Sequence, residues 1–281
     1  MRIRFWGTRG SVATPGPDTI RYGGNTSCVE VQEGDTLLIL DAGTGIRPLG
    51  DALSRDIRRV DLLLTHLHMD HIQGLGFFDP LFWPELEVHV WGPSSTTLDL
   101  HTRLSRYLSP PLFPVRLRDL PSQPRLHDAV ATRQFEIGPF SVEARLVCHP
   151  GPTVGYRITS DAGVLTYLPD HEPTLGIDAL PSDPAWIPGI DLAQSADILI
   201  HDAQFTADQY PRHIGWGHSS IPQCLDFATA AEVGCLVPFH HDPSHSDDAL
   251  DRLYEAVRSE RNLPFELSPA MEGKTLELPR S

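Results

Sequence analysis

The sequence predicts an α/β or α+β protein folded as one compact unit over residues 1–281. Three observations predict it. Short apolar strand patterns alternate with helical patterns from one end to the other. The composition is globular, with 40% hydrophobic and 21% charged residues. No short-period repeat, low-complexity tract or flexible linker divides the chain.

Taken in order, Arg2 to Trp6 reads as a first strand. A Gly/Pro-rich loop, Gly7 to Pro17, follows it. Gly23-Gly24-Asn25 is a turn before a strand at Ser27 to Gln32, and Glu33-Gly34-Asp35 is a hairpin turn into Thr36 to Leu40. Asp41-Ala42-Gly43-Thr44-Gly45 ends that strand and opens a helix. Val60 to Thr65 is a short apolar run, the pattern of a fully buried strand, and Leu86 to Trp91 is another strand candidate. Residues 100–125 differ: Arg103, Arg106, Arg116, Arg118 and Arg125 sit among Tyr107, Leu112, Phe113 and several prolines. This composition predicts a surface excursion, either a connecting loop or a lid offering cations to an anionic substrate.

Strand patterns return at Phe140 to Cys148, Thr153 to Thr159, Gly163 to Leu168 and Asp197 to His201. Ser219 to Val233 reads as a helix capped by Ser219 or Ser220, with Pro222 in the first turn, where its missing N–H does no harm. Cys235 to Phe239 is the next strand. Asp247 to Ser259 is the clearest helix, with Leu250, Leu253, Tyr254 and Val257 at i, i+3, i+4 and i+7 behind a Ser246 or Asp247 cap. Leu263 to Leu267 and Thr275 to Leu278 are candidate closing strands.

Charge and cysteine content narrow the function. With 22 Lys+Arg against 37 Asp+Glu, the formal net charge is −15. That balance disfavours a large polynucleotide or an anionic membrane as partner, although a local basic patch is compatible with it. No apolar run approaches the roughly 20 residues of a membrane helix. The N-terminus has no signal-peptide pattern. Cys28, Cys148, Cys224 and Cys235 lack C-x-x-C spacing, which excludes a thiolate zinc knuckle and fits free thiols in a reducing, cytoplasmic setting.

The sharpest feature is Thr65-His66-Leu67-His68-Met69-Asp70-His71, four potential ligands within six positions directly after an apolar strand. A strand-to-helix turn can aim such side chains into one pocket. Imidazole and carboxylate suit zinc, manganese or iron. Asp70 beside three histidines points to two metals, because one tetrahedral ion cannot use all four together with partners from elsewhere.

This H-x-H-x-D-H run resembles the metal motif of the metallo-β-lactamase-fold hydrolases, and later motifs follow in the family's order across nearly the whole chain. Cys148-His149-Pro150 offers a third His, Tyr167-Leu168-Pro169-Asp170 a strand-end Asp, and Phe239-His240 a last His. The resemblance implies a four-layer αββα sandwich of two mixed sheets with metals at one edge, partly covered by the arginine-bearing stretch. It implies two divalent ions, zinc first with manganese or iron as alternatives. His66, His68 and His149 would hold one, Asp70, His71 and His240 the other, and Asp170 would bridge them. His241 is the rival to His240, and His171 is expected behind the ligands or in solvent. Asp41 would support the first motif from behind. A water shared by two cations is acidified from about 15.7 to about 7, and the hydroxide so formed attacks carbon or phosphorus. Asp70 could also orient this nucleophile.

Two further segments bear on the substrate. Leu199 to Phe205, containing His201-Asp202-Ala203-Gln204, and Gly217-His218-Ser219-Ser220 resemble the phosphodiesterase branch of the family, which includes tRNA 3′-processing endonucleases. The implied pair is Asp202 with His218, a carboxylate-held imidazolium able to protonate a departing alkoxide. No separate Gly/basic arm for clamping tRNA is visible. Phe5 to Ser11, Gly23 to Ser27 and His240-His241-Asp242-Pro243 resemble a subgroup of stand-alone phosphodiesterase-like hydrolases. The expectation is therefore a dinuclear phosphodiesterase acting on a small or cyclic phosphodiester, with a large nucleic acid disfavoured and a homodimer compatible. The competing readings are a hydrolase of lactones, thioesters or β-lactams, and a redox module, for which no flavin partner domain fits in the chain.

Overall fold

The computed structural model describes residues 1–131, 133–175 and 179–278. In chain order its first half contains β1 (Arg2–Gly7), β2 (Cys28–Glu33), β3 (Thr36–Leu40), α1 (Ile46–Ala52), β4 (Arg59–Leu63), α2 (Met69–Ile72), β5 (Glu87–Pro93), α3 (Leu100–Ser105) and β6 (Arg125–Ala129). The second half contains β7 (Gln134–Ile137), β8 (Phe140–Leu146), β9 (Val154–Ser160), β10 (Gly163–Leu168), α4 (Ile190–Ala193), β11 (Ile198–Asp202), α5 (Ile221–Ala230), β12 (Cys235–Phe239), α6 (Asp247–Glu260), β13 (Glu266–Leu267) and β14 (Thr275–Glu277).

The strands form two seven-stranded mixed sheets, in the orders β14-β1-β2-β3-β4-β5-β6 and β13-β12-β11-β10-β9-β8-β7. In the first sheet β1, β2 and β3 pair antiparallel, while β3 through β6 pair parallel. The second repeats the plan: β7 through β10 are antiparallel and β10 through β13 parallel.

Side-chain alternation explains the layering. On β3, Leu38 and Leu40 enter the core between the sheets with Ile3, Phe5, Val142, Ile158, Ile200 and Val237. Its alternate residues, Leu37 and Ile39, enter a second cluster with Ile46 and Leu49 of α1. A third cluster joins Leu199 and Leu236 to Leu225 and Phe227 of α5 and Leu250 and Tyr254 of α6. Strands buried on both faces read as continuous apolar runs, as the sequence shows. Burying each such Leu or Ile contributes roughly 1.5–3 kcal/mol. The result is the αββα sandwich, helices outside both sheets.

The caps are those the sequence offered. Ser220 accepts from Gln223 N while the Gln223 side chain accepts from Ser220 N, a closed capping box on α5. Ser246 caps α6 by accepting from Ala249 N, with Asp247 and Asp248 in the first turn, where negative charge is favoured.

Residues 100–125, expected at the surface, are anchored instead. They contain α3 and bury Leu104, Leu108, Phe113, Leu117 and Leu120 in the outer cluster of the first sheet. The leucines repeat too irregularly among the prolines to show a period. Tyr107 donates from its hydroxyl to Gln73 O at 2.6 Å, and Phe113 packs edge-on against Phe77. The stretch therefore borders the segment that follows α2. Three of its arginines are turned elsewhere, Arg103 to Pro93 O, Arg118 to Asp119 and Arg125 to Glu87.

No described helix is long and apolar enough to cross a membrane.

Candidate metal centre

The parallel pairing of β3 with β4, and of β10 with β11 and β12, brings five strand C-termini to one edge of the sandwich. Each delivers a polar residue there: Asp41 after β3, Thr65-His66 after β4, Asp170 after β10, Asp202 at the end of β11 and His240 after β12. His149 arrives from the loop between β8 and β9. His68 stands immediately before α2, whose first turns carry Asp70 and His71.

Two groups of donor atoms result. One atom each from His66, His68 and His149 lies within 4.8 Å of the others, and the same holds for Asp70, His71, Asp170 and His240. Asp170 faces both. Its Oδ1 is 2.9 Å from His71 Nε2 and 3.5 Å from His240 Nε2. Its Oδ2 is 3.7 Å from the Nε2 atoms of both His66 and His149.

The donors fit divalent metal. Among the described residues, His66 Nε2 and Asp170 Oδ1 are buried without a hydrogen-bond partner, although other polar atoms stand close by. Nitrogen and oxygen atoms that converge in this way are aimed at a shared point. The ion-pair partners of Asp41, Asp70, Asp170 and Asp202 are all histidines. Four buried carboxylates so arranged call for added positive charge. Nitrogen and oxygen donors without thiolate suit zinc, manganese or iron.

Protonation follows the same logic. Burial first, then the charge of neighbouring histidines, pushes His66 well below its usual value. Burial likewise lowers His68 and His149, leaving neutral imidazoles suited to ligation. Burial also works against a charged His71, yet Asp170, Asp70 and Asp41 outweigh it and raise this imidazole. Burial opposes ionisation of Asp170 and Asp70, but the surrounding histidines hold both carboxyls below the ordinary range.

Supporting residues fix these side chains. Asp41 Oδ2 lies 2.8 Å from His71 Nδ1, and its carboxylate accepts from Thr65 N and from the Tyr167 hydroxyl. Ser11 N donates to Asp70 Oδ2 at 2.8 Å, and Gln204 Oε1 lies 3.0 Å from His240 Nδ1. Asp41 and His240 both adopt left-handed backbone conformations, φ 60° and 59°. Strain of this kind collects at functional sites. Gly10 lies so close to the His240 ring that a Cβ there would collide with it.

His240 and His241 separate clearly. His241 points away, with Nε2 at 3.0 Å from Ala270 O and its ring edge-on to Tyr22. His171 is fully buried behind the cluster, its Nδ1 3.1 Å from His201 Nε2. Asp202 and His218 meet at 2.7 Å between Oδ2 and Nδ1, and the His218 ring stacks on His240 at 4.9 Å. Burial would lower His218, but the charge and hydrogen bond of Asp202 override it and raise the imidazole to about 9.

Three supporting residues have no local signature that sequence reading used. Gln204 was visible only as part of the segment around Asp202. Glu172 is buried and reaches Gly217, whose Gly215-Trp216-Gly217 setting was the available clue. Arg9 is buried too. It donates to Gly23 O, His245 O and Asp242 O at 2.7, 2.6 and 3.2 Å, with Asp247 at 3.6 Å. It thus ties the first loop to the chain after His240. Arg9→Met strands three carbonyls and a buried carboxylate, and is expected to cost about 3–5 kcal/mol. Urea denaturation checks this; a loss under 1 kcal/mol would show the brace to be dispensable.

The 620 Å³ groove lined by Arg2, Arg4, Trp6 and Arg58 lies on the outer face of the first sheet. Within it Arg2 pairs with Glu30, and Arg59 at its rim pairs with Asp61.

Comparison with known proteins agrees with this architecture. Residues 36–241 match the family model described as beta-lactamase superfamily domain. A ribonuclease Z of Thermoplasma acidophilum is 25% identical over 97% of this chain and 95% of its own length. Among solved structures, the metallo-beta-lactamase fold protein YhfI of Bacillus subtilis superposes with a TM-score of 0.71 at 20% identity, covering 98% of this chain and 99% of its own. The short form of human tRNase Z does so at 0.66 and 20%, over 99% and 100%. These relatives overturn the expectation of a small-molecule substrate with large nucleic acid disfavoured. The physical error lay in treating net charge as decisive: it sets the long-range field, whereas a polynucleotide is engaged through local contacts.

Proposed function

The chain belongs to the beta-lactamase superfamily as a metal-dependent hydrolase, and from that premise we propose that it hydrolyses phosphodiester bonds, with RNA as its substrate class. The observation that carries this reading is the Asp202–His218 pair, hydrogen-bonded at 2.7 Å and stacked against His240 at the edge of the metal cluster. The ribonuclease Z relatives supply the RNA half of the proposal.

In this reading His66, His68 and His149 would hold one divalent ion and Asp70, His71 and His240 the other, with Asp170 facing both groups. Zinc is the first candidate, because three imidazoles in one group suit it. Ions held there supply Lewis acidity toward water and toward the non-bridging phosphoryl oxygens. The protein's own groups do the rest. Ser11 N fixes Asp70, leaving that carboxylate placed to orient the attacking water. Asp202 holds the His218 imidazole in its charged form, with Nδ1 committed to the carboxylate. His218 Nε2 is then the proton donor to the departing oxygen. An alkoxide leaving group needs that proton, whereas a carbonyl substrate has less use for it. The four free cysteines suit a reducing, cytoplasmic setting.

The test is a hydrolysis panel on zinc-reconstituted protein: an RNA oligonucleotide, a bis-aryl phosphate, 2′,3′- and 3′,5′-cyclic nucleotides, a lactone and a β-lactam. Chelator-sensitive cleavage of the RNA is expected. Turnover confined to the lactone or the β-lactam would refute the assignment.

A further inference from the structure

Glu172 is a fully buried carboxylate two residues beyond Asp170, and no step of the proposed reaction uses it. Its partners are neutral donors. Oε2 accepts from Gly217 N at 2.7 Å, while Oε1 accepts from Gly215 N and the Tyr210 hydroxyl, both at 2.9 Å. Its backbone N–H donates to Cys148 O at 2.8 Å. Gly215 and Gly217 both have φ of 87°, and this backbone turns their two N–H groups toward one carboxylate, while Trp216 N between them donates to His213 O.

The pinned loop bears directly on the metal centre. His149 Nδ1 donates to Gly217 O at 2.8 Å, which commits the neutral ring to the tautomer whose Nε2 is bare. That Nε2 lies 3.1 Å from His68 Nδ1 and 3.7 Å from Asp170 Oδ2. Gly217 also fits tightly, since a Cβ there would collide with the His149 ring and Pro150. The next residue is His218.

We propose that Glu172 is a positioning residue: through the Gly215–Gly217 backbone it fixes the tautomer and direction of His149, and thereby the zinc affinity of the His66, His68 and His149 group. The inference rests on the reading of His149 as a metal ligand. It explains a buried carboxyl group whose hydrogen-bond partners among the described residues are neutral donors. Glu172 holds the residue before His149 by donating its backbone N–H to Cys148 O, and the residue behind the His149 ring by accepting from Gly217 N with its carboxylate. Ligand-supporting groups of this kind alter metal affinity about 10- to 100-fold when removed.

Glu172→Gln keeps the shape but replaces one acceptor oxygen with an NH₂ that cannot accept. Zinc titration against a chromophoric chelator, using full-length protein, is expected to show one of two sites weakened about 10- to 100-fold. Nitrogen-15 NMR of the zinc-free protein is expected to show His149 released from its single tautomer. A purely structural role would lower the melting temperature and leave both readouts unchanged; that result overturns the proposal. Wild-type protein that binds no zinc would instead sink the functional reading, while the tautomer measurement would still decide this one. Should E172Q fail to fold, Gly215→Ala serves. Gly215 is exposed with open space around it, so alanine adds strain at φ 87° and no clash. A folded G215A with wild-type zinc affinity and a single His149 tautomer would equally overturn the proposal.

Discussion

Asp170→Asn is expected to abolish tight binding of two metal ions and to lower turnover by about 10³-fold or more. The two oxygens of Asp170 face different donor groups, Oδ1 toward His71 and His240, Oδ2 toward His66 and His149. Asparagine preserves the volume but removes the charge and presents an NH₂ to one of the two groups. The remaining imidazoles then lose the anion common to them. Elemental analysis after dialysis, with circular dichroism to establish folding, provides the readout. A folded variant that keeps two ions and loses less than tenfold in rate would show that Asp170 is not shared between metals. The same ions are expected to stabilise the fold by mass action, so chelator should lower the wild-type melting temperature and have little effect on this variant.

His218→Ala should discriminate between leaving groups. For an alkyl phosphodiester such as RNA, loss of the proton donor is expected to cost about 10²- to 10⁴-fold. For a bis-aryl phosphate, whose phenolate departs without help, the loss should stay within about tenfold. The sign of the pH dependence follows. His218 is competent as the imidazolium, so wild-type cleavage of RNA should fall as pH rises through its pKa. Without metal the imidazole stands at about 9 because Asp202 outweighs burial. Positive charge bound at the cluster moves the fall to lower pH. The alkaline decline should vanish in H218A, and Asp202→Asn should shift it downward. Equal small losses on both substrates would remove His218 from the reaction.

Much of the structure was legible in local patterns. The strands β3 and β12 announce themselves as nearly continuous apolar runs, and β1 by strict alternation of polar and apolar residues. The helix α6 shows its buried stripe at helical spacing, with Leu250 and Tyr254 inward. The short strands β6 and β7 escaped notice. Both lie at sheet edges: Arg125–Ala129 is mostly polar and half-exposed, and the alternation of Gln134–Ile137 runs for only four residues. In residues 100–125 the exposed prolines and arginines are legible as a surface excursion, but they mask the apolar residues that anchor it.

What the sequence determined by itself is the donor chemistry. Four ligand-type side chains fall within six positions after a buried strand, and a turn of that length confines them to one pocket whatever the rest of the chain does. Tertiary structure alone decided how distant residues complete it. His240 and His241 are chemically identical neighbours, and only the left-handed backbone at His240 turns one ring toward Asp70 and the other toward Ala270. Arg9 and Glu172 are charged residues whose partners lie up to 238 positions away, at Asp247 for Arg9 and Gly217 for Glu172. Local spacing carries information over a turn or two of chain, whereas which carboxylate meets which imidazole depends on how two sheets align their strand ends.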